Sequence, residues 1–124
     1  MNMVVWSLPC LSQEFNQGPV LRSGLDHVAI AFDFETPDGD YAWSELRFSG
    51  VVAFAFTAAR YCTEDQIAAY DKLLQIEGSP WLVALPDGAP GVCHLRIFFD
   101  DAGCYDVLAR AFEFFEHGTP PASA

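Results

Sequence analysis

Residues 25–35 read Leu25-Asp26-His27-Val28-Ala29-Ile30-Ala31-Phe32-Asp33-Phe34-Glu35, an alternating run. Val28, Ile30, Phe32 and Phe34 fall on one side, and His27, Ala29, Ala31 and Asp33 on the other. A two-residue period is the signature of a strand with one buried face. Thr36-Pro37-Asp38-Gly39-Asp40 follows. Proline pre-sets a turn and Gly39 takes positive φ readily, so a hairpin is expected here. The return runs from Tyr41 to Thr57, with Leu46, Phe48, Val52, Phe54 and Phe56 on one face and Trp43, Glu45, Arg47 and Ser49 opposite. Gly50 interrupts the inward row, which marks a bulge or bend in a long strand.

Working outward, Val4 to Leu8 reads as a short strand stopped by Pro9, and Gly18-Pro19 as a turn. Downstream, Thr63-Glu64-Asp65-Gln66 is a capping box with two acids in the first turn. Ile67, Tyr70 and Leu74 then keep helical spacing, so one principal helix is expected over 64–77. Gly78 closes it and Pro80 prevents a restart. Pro80 to Leu85 is either a short strand or an extended crossing. Val92 to Phe99 alternates again, and Asp100-Asp101-Ala102-Gly103 is a second hairpin turn. For 104–115, helical spacing (Tyr105, Leu108, Phe112, Phe115) competes with the preceding turn, which favours a strand returning onto 92–99. The order predicts an α+β fold: a mostly antiparallel sheet of about four to six strands with one helix. We expect one globular domain over 1–117 and a flexible tail over 118–124.

The chain has 124 residues, 52% of them hydrophobic and 15% aromatic, enough for a core without disulfide staples. Seventeen acids face six basic residues, a net charge of −11. Acids outnumber bases in both halves, seven to three over 1–62 and ten to three over 63–124, so the charge belongs to the surface and not to a tail. Such a field disfavours nucleic acid and anionic membrane and favours cationic partners. It also keeps an aromatic-rich protein in solution. No basic segment followed by an apolar run opens the chain, and no apolar stretch reaches the roughly 18 residues of a membrane span. A cytoplasmic protein is the expectation, with Cys10, Cys62, Cys93 and Cys104 as buried thiols. Two disulfides would be possible after export.

Motifs that carry chemistry are sparse. His27, His94 and His117 lack metal-ligand spacing, so no metal and no cofactor is expected. His94, beside Arg96 on a strand face, reads as a surface or partner-facing residue. No G-x-S-x-G, Walker or dinucleotide fingerprint occurs. Cys104 follows a turn glycine and is the cysteine most open to exposure, although a half-buried thiol is the simpler reading. Asp38/Asp40 and Asp100/Asp101 form carboxylate pairs in turns, where Asp is favoured for backbone reasons. Tyr41 and Trp43, opposite the phenylalanines, suit an interface or are covered by another segment.

Leu46-Arg47-Phe48-Ser49-Gly50-Val51, Tyr70-Asp71-Lys72-Leu73, Ser79-Pro80-Trp81-Leu82 and the stretch His94-Leu95-Arg96-Ile97-Phe98-Phe99-Asp100-Asp101-Ala102-Gly103-Cys104-Tyr105-Asp106-Val107 occur in this order. Together they resemble small bacterial proteins akin to the immunity proteins of polymorphic toxin systems, over about residues 20–115. The resemblance implies strand, turn, strand for the last stretch, and a non-catalytic inhibitor of a basic toxin. Its candidate contact residues would be Asp33, Glu35, Asp38, Asp40, Trp43 and Glu45 on the first hairpin, and Asp100, Asp101 and Asp106 on the second. A homo-oligomeric interaction domain and a small enzyme with a site assembled only by folding stand as alternatives.

Overall fold

A computed structural model describes residues 2–116. Two sheets face each other across a core of phenylalanine and aliphatic side chains. The first sheet has the order β1-β6-β7-β8-β5, built from β1 (Met3–Ser7), β5 (Ala53–Ala58), β6 (Lys72–Gln75), β7 (Cys93–Phe99) and β8 (Gly103–Ala109). The second has the order β2-β3-β4-β9, from β2 (Gln17–Ser23), β3 (His27–Glu35), β4 (Tyr41–Ser49) and β9 (Ala111–Glu116). All ladders between these strands are antiparallel. The result is a sheet-rich architecture of two packed layers rather than one sheet with one helix.

Both expected hairpins form. β3 and β4 pair residue for residue from His27↔Ser49 to Glu35↔Tyr41. The turn is closed by the Asp40 carbonyl accepting from Thr36 N–H at 2.7 Å, with Gly39 at φ +87°. β7 and β8 pair from Cys93↔Ala109 to Phe99↔Gly103, and Asp101 adopts φ +58° in the turn. The strand reading of 104–115 is therefore correct, in two pieces.

The expected long strand over 41–57 does bend at Gly50, and the bend changes sheets. β4 ends at Ser49 in one layer and β5 begins at Ala53 in the other. β8 and β9 make the same passage through Arg110, whose N–H bonds the Ser49 carbonyl at 3.1 Å. The two crossings touch: a Cβ on Gly50, which sits at φ +61°, would lie 2.9 Å from Arg110 Cβ. Gly50→Ala therefore forces a side chain into the left-handed region and against its neighbour, with an expected loss of about 1–3 kcal/mol, read as a lower urea midpoint.

The helix expected over 64–77 is a correction. Its capping box forms, with Thr63 and Gln66 bonded reciprocally, but α1 covers only Glu64–Ile67. Asp71 turns to φ +58° and Lys72–Gln75 becomes β6 between β1 and β7. Leu73 and Leu74 are adjacent and both buried, at 0% and 5% exposure, one in each of the two clusters flanking the sheet. A strand buried on both faces satisfies both leucines, whereas a helix would have turned only one stripe inward. Asp71 is locked in place by Ser12, whose N–H (3.1 Å) and hydroxyl both donate to its carboxylate.

Residues 80–85 are also corrected, from strand or extended crossing to helix. Ser79 caps a second short helix, α2 (Pro80–Val83), with Pro80 in the first turn, where proline is favoured. Proline thus starts this helix instead of preventing one. α1 and α2, on either side of β6 in the chain, lie against the first sheet, where Ala69, Leu74, Phe98 and Cys104 form a second cluster. The tail expected to be flexible, 118–124, lies outside the described residues, as does His117. No helix among the described residues is long and apolar enough to cross a membrane.

Candidate interaction surface and a buried polar network

The nine candidate contact residues separate cleanly once folded. Glu35, Asp38 and Asp40 remain exposed at the tip of the β3–β4 hairpin, and Asp101 is exposed at the second tip. Glu35 pairs across the strands with Tyr41, and Asp33 with Trp43. Directly opposed residues share a face, so Glu35, Tyr41 and Trp43 line one outward surface. Tyr41 is 58% exposed and Trp43 is half-buried. Among the described residues nothing forms an ion pair with Glu35, Asp38 or Asp40. Among the described residues no cation pairs with this charge, which lies beside an exposed aromatic ring.

Three candidates are corrected. Asp33 is buried, and its carboxylate accepts from the Gln17 N–H and, at 3.0 Å, from Asn16 Nδ2. It fastens the start of β2 to β3. Glu45 is also buried and is held by Arg47 through Nε at 2.7 Å and Nη2 at 2.6 Å. The Arg47 guanidinium in turn lies 4.5 Å over the Phe115 ring. Asp106 is 2% exposed and sits on the outer face of the first sheet, under α2. Asp100 is half-buried and occupied: it accepts the Tyr70 hydroxyl at 2.8 Å, which pushes the Tyr70 phenol up to about 12.

Asp106 belongs to a network that sequence spacing does not reveal. His94 Nε2 lies 2.6 Å from Asp106 Oδ1, and Arg96 Nε donates to the same oxygen at 2.7 Å. Cys104 Sγ is 3.5 Å from Oδ2. On the other side of the ring, Ser79 Oγ lies 2.7 Å from His94 Nδ1. An ionised carboxylate only accepts, so Nε2–H donates to Asp106 and, in a neutral ring, Nδ1 receives the Ser79 hydroxyl proton. Burial alone would raise the Asp106 carboxyl, but the hydrogen bonds from His94 and Arg96, together with the Arg96 charge, outweigh it and hold it below its ordinary value.

This order, Ser79–His94–Asp106, is the bonding pattern of a nucleophilic triad with the two ring nitrogens exchanged. Its setting is a packed one. Ser79 and His94 are each 2% exposed, and the Trp81 indole stacks on the imidazole at 5.0 Å and 6°. Ser79 Oγ also accepts from Leu82 N–H at 3.4 Å, as the cap of α2. The Ser79 hydroxyl is buried, and the network ties α2 to β7 and β8. His94 is therefore buried rather than partner-facing. The signal that the sequence carries for this network is positional: in the register of the β7–β8 hairpin His94, Arg96 and Asp106 share one face.

The cysteines are free; Cys104 is fully buried, more so than the half-buried thiol expected of it, and Cys10, Cys62 and Cys93 are partly exposed. Burial and the neighbouring Asp106 raise the Cys104 thiol far above the ordinary range, so it is a poor nucleophile. Among the described residues no group of three His, Cys, Asp or Glu side chains is placed to hold a metal ion.

No protein-family profile matches this chain, and no significant match appears among the characterised proteins or the solved structures compared with it.

Proposed function

We propose that this chain is a non-catalytic acidic binding protein of the immunity type, which docks on a basic partner such as a bacterial toxin and occludes its working surface. The observation that carries the reading is the β3–β4 tip: Glu35, Asp38 and Asp40 exposed and without ion pairs among the described residues, beside Tyr41 and Trp43. Unpaired acids steer a cationic partner into contact, and an aromatic pair supplies the apolar area that holds it. The packed two-sheet frame supports the tip rigidly, since β3 pairs along its length with β4. The resemblance of 46–51, 70–73, 79–82 and 94–107 to immunity-like proteins points the same way.

Comparative capture tests this. Immobilised wild-type chain, offered a lysate of its own organism at low salt, is expected to retain a basic protein. The triple variant Glu35→Gln, Asp38→Asn, Asp40→Asn is expected to lose it. Retention of the same proteins by both would remove the tip from the account. A toxin reading frame beside the gene would be the quickest independent support.

A further inference from the structure

A sheet edge presents unpaired backbone groups, and proteins guard such edges with charge, proline or bulges. The two sheets here have four edges: β1, β5, β2 and β9. β2 carries Pro19 and Arg22, and β9 carries Glu113 and Glu116. β1 has no charge, but its register slips between Val4 and Trp6, which disrupts the edge. β5 has none of these guards. Its ladder with β8 is regular from Ala53↔Leu108 to Ala58↔Gly103. The whole stretch Ser49–Ala59 lacks a charged residue in a chain of net charge −11.

The β5 edge is also apolar in an ordered way. Phe54 and Phe56 pair with Val107 and Tyr105, so they point to the core side of the first sheet. They are nevertheless 42% and 50% exposed, and Val52 is 45% exposed. Ala53, Ala55 and Thr57 alternate with them and are small. Cys62 Sγ approaches the Thr57 and Ala58 carbonyls at 3.4 and 3.5 Å, and the Val52 N–H donates to the Leu108 carbonyl at 2.8 Å, which leaves Ala53 to Phe56 as the open length.

We propose that the β5 edge is the contact between two copies of this chain, joined antiparallel about a two-fold axis at Phe54, so that Val52 of each copy lies opposite Phe56 of the other. The choice of occupant follows from charge. A basic partner gains nothing from an uncharged strand, whereas two strongly acidic copies repel each other least along charge-free strands, of which β1 is bulged and β5 has a regular ladder. The sequence is self-complementary in that register: large apolar residues meet on one face and Ala53 meets Ala55 on the other. A two-fold interface requires such self-matching. The axis leaves the β3–β4 tip outside the contact, so this inference stands or falls apart from the proposed function.

Sedimentation velocity on the full chain tests it. At about 100 μM the wild type is expected to sediment as a dimer. Phe54→Lys places two like charges across the axis and is expected to weaken dimerisation at least about tenfold, as is Val52→Lys. Met3→Lys, on the bulged β1 edge, is expected to leave the dimer intact. Circular dichroism and the urea midpoint establish that each variant is folded. A wild type that is monomeric at this concentration overturns the proposal. So does a folded Phe54→Lys and Val52→Lys pair that dimerises normally, or a Met3→Lys variant that falls apart. Dimerisation that the triple tip variant retains would separate this contact from partner binding.

Discussion

Asp106→Ala is expected to destabilise the fold by about 3–5 kcal/mol, the range for breaking a buried charge pair from one side. The carboxylate serves His94, Arg96 and Cys104 together. Its removal leaves the Arg96 guanidinium, whose side chain is 14% exposed, and the His94 Nε2–H without their acceptor. Because stability totals only about 5–15 kcal/mol in proteins of this kind, a loss of this size should be obvious as a urea midpoint shift. The conservative Asp106→Asn keeps the volume and removes the charge. It also isolates the pH dependence. The folded carboxyl lies below its ordinary value, so its contribution is fully present above the unfolded pKa, near 4, and is lost as pH falls through the folded one. The stability gap between wild type and Asp106→Asn should therefore be widest at neutral pH and should narrow below about pH 4. A gap constant from pH 7 to pH 3 would contradict the charge pair.

Phe32→Ala is expected to cost about 3–5 kcal/mol, through lost apolar burial and the cavity left behind. Phe32 is 0% exposed at the centre of the aromatic stack. Phe15 lies 4.5 Å away with rings nearly parallel, Phe34 6.2 Å away, and Phe99 and Phe114 6.3 Å away. Because Phe99 and Phe114 belong to β7 and β9, this ring touches both layers at once. The same truncation at Phe54 exposes no cavity, since its side chain already borders solvent, and should cost well under half as much in monomer stability. Equal losses at the two positions would mean that the core is placed wrongly.

The strands that face one another across a turn were legible because period-two patterning and turn chemistry are local. Val28 to Phe34 and Leu95 to Phe99 needed only neighbours in sequence to declare a face. The 64–77 segment misled because its capping box is real while its continuation is decided by distant partners: β6 exists through pairing with β1 and β7, over separations that spacing does not encode. Pro80 misled for a similar reason. Whether proline ends or begins a helix depends on the residue before it, and Ser79 was already committed to capping.

Of the candidate contact surface, the tip acids were readable because Asp and Gly mark the turn itself. Asp33, Glu45 and Asp106 were not readable as structural. A carboxylate on the outer side of a strand looks solvent-facing until Asn16, Arg47 or α2 is folded over it. The Ser79–His94–Asp106 network joins residues 15 and 12 positions apart, through a helix that the sequence reading did not contain.

The most direct measurement is the equilibrium affinity of the captured basic protein for the wild-type chain and for the variant carrying Glu35→Gln, Asp38→Asn and Asp40→Asn. It is best taken at about 50 mM and about 500 mM salt, where charge screening differs strongly. The account predicts a roughly 100-fold weaker complex for the variant at low salt, and a gap that narrows at high salt as the wild type loses its electrostatic advantage. Equal affinities for the two proteins at low salt would contradict it, because binding would then owe nothing to the acids of the β3–β4 tip.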